Sequence, residues 1–178
     1  MKSQLKKTDW LDLGLKTLAT SGAVALKAAP LAERLSVTRG SFYWHFEDID
    51  QYHSELLEYW RERMTTDVIA ANDSDDPVDK LSALLNRAFS DTSGIERAIR
   101  AWAIQDEKVA QVVGIVDQER IEHIRKLLLL NGVVGSEAHS RAILLYWTYV
   151  GRQVTFTNRG EKVNRTVPAL IERMIVGP

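Results

Sequence analysis

The chain has 178 residues, 45% of them hydrophobic, with 23 lysines and arginines against 24 acids and no cysteine. That length suits one large domain or two small ones, and the lack of cysteine excludes disulfides, thiolate metal sites and cysteine nucleophiles. A net charge of −1 excludes a uniformly basic coat but not an uneven one: residues 1–46 hold seven bases against three acids, a net of +4, so the remainder is acidic. The longest apolar runs, such as 142–151, fall short of a membrane span. The early lysines are not followed by the apolar core of a secretion signal. A reducing cytoplasm is therefore the expected setting, with no membrane partner.

Taken in order, Thr8 is a good N-cap, and Trp10, Leu11, Leu15 and Leu18 recur at helical spacing until Ser21-Gly22 stops the run. From Lys27 to Phe46 the pattern predicts two short helices and a tight turn. Pro30 falls near the start of the first, where a missing N–H costs nothing, and Leu31, Ala32 and Leu35 share its inner face. Ser36-Val37 interrupts, and Thr38 is placed to cap the second helix. There Phe42 and Phe46 lie one turn apart and anchor inward. Arg39, Ser41, Tyr43, Trp44 and His45 are left around the remaining surface, and three polar-tipped aromatics in a row cannot all point inward.

A longer helix is expected from about 48 to 71, with Ile49, Tyr52, Leu56 and Met64 on its stripe, and a polar break follows at 72–77. Helices are then predicted at 77–90, 95–105 and 107–130, the last with Val109, Val112, Val113, Val116, Ile124, Leu127 and Leu128 inward. Asn131-Gly132 closes it. Ser136 is expected to cap a helix carrying Ala142, Leu145, Tyr146, Tyr149 and Val150, and after a turn at 158–160 a last helix runs over 163–176. No strand alternation, repeat or low-complexity tract competes with this all-α pattern.

The segment 31–46, LAERLSVTRGSFYWHF, closely resembles the helix-turn-helix signature of the TetR/AcrR family of transcriptional regulators, which typically ends in Tyr-x-His-Phe. The resemblance covers about the first fifty residues. It implies an N-terminal three-helix helix-turn-helix domain at 1–47 and a C-terminal helical effector-binding and dimerisation domain at 48–178, bridged by the helix from 48 to 71. It further implies that Arg39 and Ser41 approach base edges of double-stranded DNA, with Gly40 between them also at the DNA, and that Tyr43, His45, Thr38 and Lys27 approach phosphates. Trp44 would pack on the sugar-phosphate backbone. Ser36 stands where the family usually has glycine, and Glu47, Asp48 and Asp50 stand where it usually has a lysine.

In the remaining chain, Phe89, Trp102, His123, Tyr146, Trp147, Tyr149 and Arg152 offer apolar walls with a few polar tips, a mixture suited to a small aromatic or amphipathic effector. Ala138, Ala142, Val150, Leu170, Ile171 and Met174 exceed what one buried stripe needs and form the expected homodimer face. The expected whole is a repressor that binds a palindromic operator as a dimer and is released by a small molecule. An enzyme is disfavoured. His45, His53, His123 and His139 are scattered, no hydrolase or phosphate-loop motif appears, and Glu119 with His123 supplies only two metal ligands. No catalytic residue, metal site or cofactor is expected. The alternative is a helical protein–protein interaction module that does not bind DNA.

Overall fold

A computed structural model describes residues 5–70, 75–155 and 166–177, and every regular element among them is a helix. The chain is all-α, as its periodicity predicts. In order come α1 (Lys7–Ser21), a 3-10 turn (Ala23–Ala25), α2 (Ala28–Arg34), α3 (Arg39–Tyr43) and α4 (Ile49–Arg61). A π turn (Glu62–Thr66) leads to the single-turn α5 (Asp67–Ala70). Then follow α6 (Pro77–Ser90), α7 (Ile95–Ala103), α8 (Glu107–Leu130), α9 (Gly135–Val154) and α10 (Thr166–Val176).

Contacts divide the chain into two compact units. The first holds the residues up to Arg63 together with Ile95–Val113; the second holds Met64–Gly94 and the chain from Gly114 onward. The sequence suggested one boundary near residue 47. Instead the chain passes between units inside the π turn, before α7 and within α8.

In the first unit α1 packs against α4 and α7, and α2 packs against α3. Trp10 is fully buried at its centre, with Phe42 edge-on at 5.4 Å, and Tyr52 is ringed by Phe42 at 5.3 Å and Phe46 at 4.9 Å. Offset and edge-on rings gain both area burial and quadrupole complementarity. Tyr52 fits only because residue 14 is glycine: a Cβ there would lie 2.0 Å from the phenol oxygen. That hydroxyl donates to the Trp10 carbonyl at 3.1 Å, and burial pushes its pKa above the ordinary phenol value.

The helix ends follow local chemistry, with two corrections. Thr8 is not the first N-cap. The N-cap is Lys6, two residues earlier, and Asp9 accepts from its N–H at 2.7 Å. Ser136 is likewise inside its helix, because α9 begins at Gly135 with Val134 as N-cap. By contrast Gly22 closes α1 at φ +75°, with its N–H on the Leu18 carbonyl, as Ser21-Gly22 suggested. Asp48 caps α4 by accepting from the Gln51 N–H at 2.7 Å, and Asp76 caps α6.

The second unit is built on Leu81, Leu85 and Phe89 of α6, Ile124, Leu127 and Leu128 of α8, and Ala138, Ala142, Leu145 and Tyr146 of α9. Helix α10 lies against α6 and α9. Ser82 donates to the Glu172 carboxylate, and the Arg141 guanidinium donates to the carbonyls of Ile175 and Gly177. Those carbonyls stand at a helix end, where no intrahelical donor reaches them. The predicted turn at 158–160 and the start of the last helix at 163–165 lie outside the described residues.

Candidate nucleic-acid interface

The two helices of the Lys27–Phe46 stretch fold as their residues dictate. Leu31 and Ala32 are buried, and the backbone turns through Ser36, whose φ of 56° makes it the one non-glycine among the described residues in the left-handed region. For a side chain bearing a Cβ that conformation costs roughly 1–2 kcal/mol. Two hydrogen bonds hold the turn in place, Ser36 N–H to the Glu33 carbonyl and Val37 N–H to the Ala32 carbonyl. Thr38 occupies the N-cap position of α3 with extended backbone, but its side chain accepts no capping bond. The expected capping function is absent, and the hydroxyl is left on the exposed surface.

Helix α3 is short, and its two anchors are sealed: Phe42 and Phe46 are 0% and 1% exposed. This fixes the opposite side outward. Tyr43 is 46% exposed and Trp44 88%, while His45 is half-buried, its ring 6.4 Å from Trp10. Lys27, Arg39 and Gly40 are exposed and Ser41 is half-buried, so the structure brings all eight sequence-predicted residues to the α2–α3 region and buries none of them completely.

Arg39 and Tyr43 lie one turn apart and interact. The Arg39 Nη2 donates to the Tyr43 hydroxyl oxygen at 2.8 Å, with the guanidinium carbon 5.4 Å from the ring centroid. That arrangement leaves the phenolic O–H to donate elsewhere and holds the arginine in one orientation before any ligand arrives. Only the i, i+4 spacing hints at this pairing. Arg34 is tied down differently, donating to Thr17 and Ser21 of α1. Glu47, Asp48 and Asp50 are exposed, and Asp48 serves the α4 N-terminus, where a negative charge is favoured.

In the second unit the expected effector residues separate. His123, Tyr146 and Tyr149 line a common cavity, together with Val68, Ile69, Leu84, Ala88, Arg120 and Ile124, which the sequence did not single out. Phe89 belongs to the solid core. Arg152 donates to the Asp91 carbonyl, and Trp147 is 64% exposed. Trp102 belongs to the first unit, where it packs edge-on against His53 at 5.0 Å.

The expected dimer face also needs correction. Ala138 and Ala142 are 0% exposed and sealed in the core of their own unit, and Val150 and Ile171 pack against it. Leu170 and Met174 are exposed, as expected, and the other apolar side chains on these two helices that reach solvent are Leu144, Trp147, Val154 and Val167. They recur at i, i+3, i+7 or i+10 on α9 and α10, so each helix carries one outward apolar stripe. Among the described residues no group of His, Asp and Glu could hold a metal ion, and no helix is long and apolar enough to cross a membrane.

Neither a protein-family model nor a curated protein sequence matches the chain. Its fold, however, is shared along nearly the whole length with solved structures of low sequence identity. A Rhodococcus sp. protein described as a TetR-family transcriptional regulator superposes with a TM-score of 0.75 at 15% identity, covering 96% of this chain and 98% of that one. A Clostridium perfringens protein described as a fatty acid metabolism regulator gives 0.66 at 19%, covering 96% and 97%. BioQ, crystallised with its double-stranded DNA operator, gives 0.54 at 20%, covering 98% and 100%. The all-α fold of the chain is therefore the fold of TetR-family regulators.

Proposed function

We propose that the chain is a TetR-like, one-component transcriptional regulator of the cytoplasm, most simply a repressor. In this reading it binds a palindromic operator as a homodimer and is released by a small molecule bound in the second unit. The observation that carries the reading is the outward face of α3: two sealed phenylalanines hold Arg39, Tyr43 and Trp44 toward solvent on a short helix after a tight turn. Such a helix suits the major groove, with Arg39 and Ser41 near its N-terminus for base edges and Tyr43, His45 and Lys27 for phosphates. The likeness to BioQ, a protein solved on its DNA operator, supports the same reading.

Dimerisation completes it, because one short helix contacts few base pairs while a two-fold pair reads half-sites about 34–36 Å apart. The stripes containing Leu144, Trp147, Leu170 and Met174 are the proposed self-complementary surface. Release then requires that the effector favour a dimer whose two recognition helices no longer match successive grooves.

Selection of bound fragments from a genomic DNA pool tests this directly. The expected result is an inverted repeat with half-sites about one helical turn apart, bound with an affinity that falls steeply with salt. Retention of no fragment above background, with no salt dependence, would instead indicate the helical interaction module.

A further inference from the structure

The cavity in the second unit has a volume of about 80 Å³, several times the roughly 10–15 Å³ that one water requires. Aliphatic groups of Val68, Leu84 and Ile124 and the rings of Tyr146 and Tyr149 form most of its wall. The polar ends of two lining residues, Tyr146 and Arg120, are engaged elsewhere. Tyr146 donates from its hydroxyl to Asp117 Oδ1 at 2.7 Å. Arg120 donates from Nε to Thr65 Oγ1 at 2.9 Å and from Nη2 to the Met64 carbonyl at 3.3 Å. Burial, and after it the charges of Lys126 and Lys80, lowers the pKa of His123 and so disfavours its charged form, and its buried Nε2 has no hydrogen-bond partner.

Two consequences follow from these contacts. A charged ligand group placed here would lose its water among largely apolar walls, which is costly, whereas an apolar group gains wall contacts and loses little. Arg120 also belongs to two structures at once. It lines the cavity, and it holds the π turn Glu62–Thr66, where the wider ring shifts carbonyls off the ordinary helical ladder. Val68 and Ile69, just after that turn, line the same space. An occupant therefore presses on the arginine and on the segment that it holds.

We propose that this cavity is the effector site, that it takes an uncharged apolar molecule the size of one ring or a short chain, and that Arg120 is the positioning residue that passes occupancy to the π turn. The word effector rests on the regulator reading above; the binding of an apolar molecule does not.

The test uses the full chain with labelled methyl groups, titrated with toluene and with benzoate, which has the same ring and an anionic head. Toluene is expected to shift the methyl resonances of Val68, Leu84 and Ile124, and benzoate to bind at least about tenfold more weakly. Saturating toluene is expected to weaken operator binding by at least about fivefold. Arg120→Met should lose that effect on DNA even at toluene concentrations that saturate its own methyl shifts. Leu84→Trp, which fills the space, should abolish the toluene shifts. The proposal is overturned if toluene shifts none of these methyls, if benzoate binds equally well, if Arg120→Met responds on DNA like the parent, or if the shifts survive Leu84→Trp. Should the chain bind toluene but select no DNA, the regulator reading falls and the cavity assignment stands. Should it select DNA and ignore toluene, the reverse holds.

Discussion

The recognition stretch and the α9–α10 pair pose the same problem, which side chains face out, and solve it with different reliability. On α3 two phenylalanines four residues apart take the inner side, so Tyr43 and Trp44 have nowhere to go but outward. On α9 small and large apolar residues surround much of the helix, and Ala142 is sealed while Leu144 and Trp147 face solvent. A helix with a narrow apolar stripe declares its orientation; one that is apolar over most of its circumference does not. Exposure deduced from residue type is therefore trustworthy only where the inward side is already claimed.

The largest expected effect tests the inner half of that contrast. Phe42→Ala removes the ring that touches Trp10, Tyr52 and Phe46, and urea denaturation should show a loss of about 3–5 kcal/mol. If the loss is below about 1 kcal/mol, Phe42 does not anchor the helix. Ala142→Leu probes the sealed side of α9. Ala142 is fully buried, so the larger side chain should cost about 1–3 kcal/mol of stability, whereas Trp147→Glu on the outward stripe should leave the protomer's stability nearly unchanged and shift sedimentation toward monomer. Equal stability losses for the two would erase the distinction drawn between the inner and outer sides.

Smaller effects sharpen the outer half. Arg39→Ala should cost about 1–3 kcal/mol on the selected operator and relax preference at one base pair; a uniform loss on all sequences would reassign Arg39 to phosphate. Ser36→Gly relieves the left-handed backbone and should raise stability by roughly 1 kcal/mol without changing DNA affinity. A destabilised variant in thermal melts would mean that the serine side chain contributes more than its backbone strain costs.

Much of the fold was legible because local signals agreed. The helices 77–90 and 107–130 lie where the sequence places them, the first opened by Pro77 after a polar break and the second closed by Asn131-Gly132. What escaped was set by partners distant in sequence. The helix expected from 48 to 71 is interrupted at Glu62–Thr66, a stretch with no proline or glycine, and there Arg120 donates to Thr65 and Met64 from more than fifty residues away. Trp102 groups with the pocket residues by its large apolar ring; it belongs to the first unit because α7 returns to pack on α1. The candidate DNA face was legible residue by residue, while the Arg39–Tyr43 bond and the missing Thr38 cap needed coordinates. The cavity was half legible: three aromatic or imidazole side chains were foreseen, and its aliphatic wall looked like any other core.

The return of residues 95–113 to the first unit bears on how this protein can be made and cut. Ile99 and Trp102 close the hydrophobic interior around α1 and His53, so a nascent chain emerging from the ribosome in order cannot complete its first unit until α7 and the first turns of α8 have emerged. A fragment ending after α4 would carry the whole recognition motif yet leave that interior unroofed, and chimaeras that graft this reader onto another sensor must bring the returning segment along.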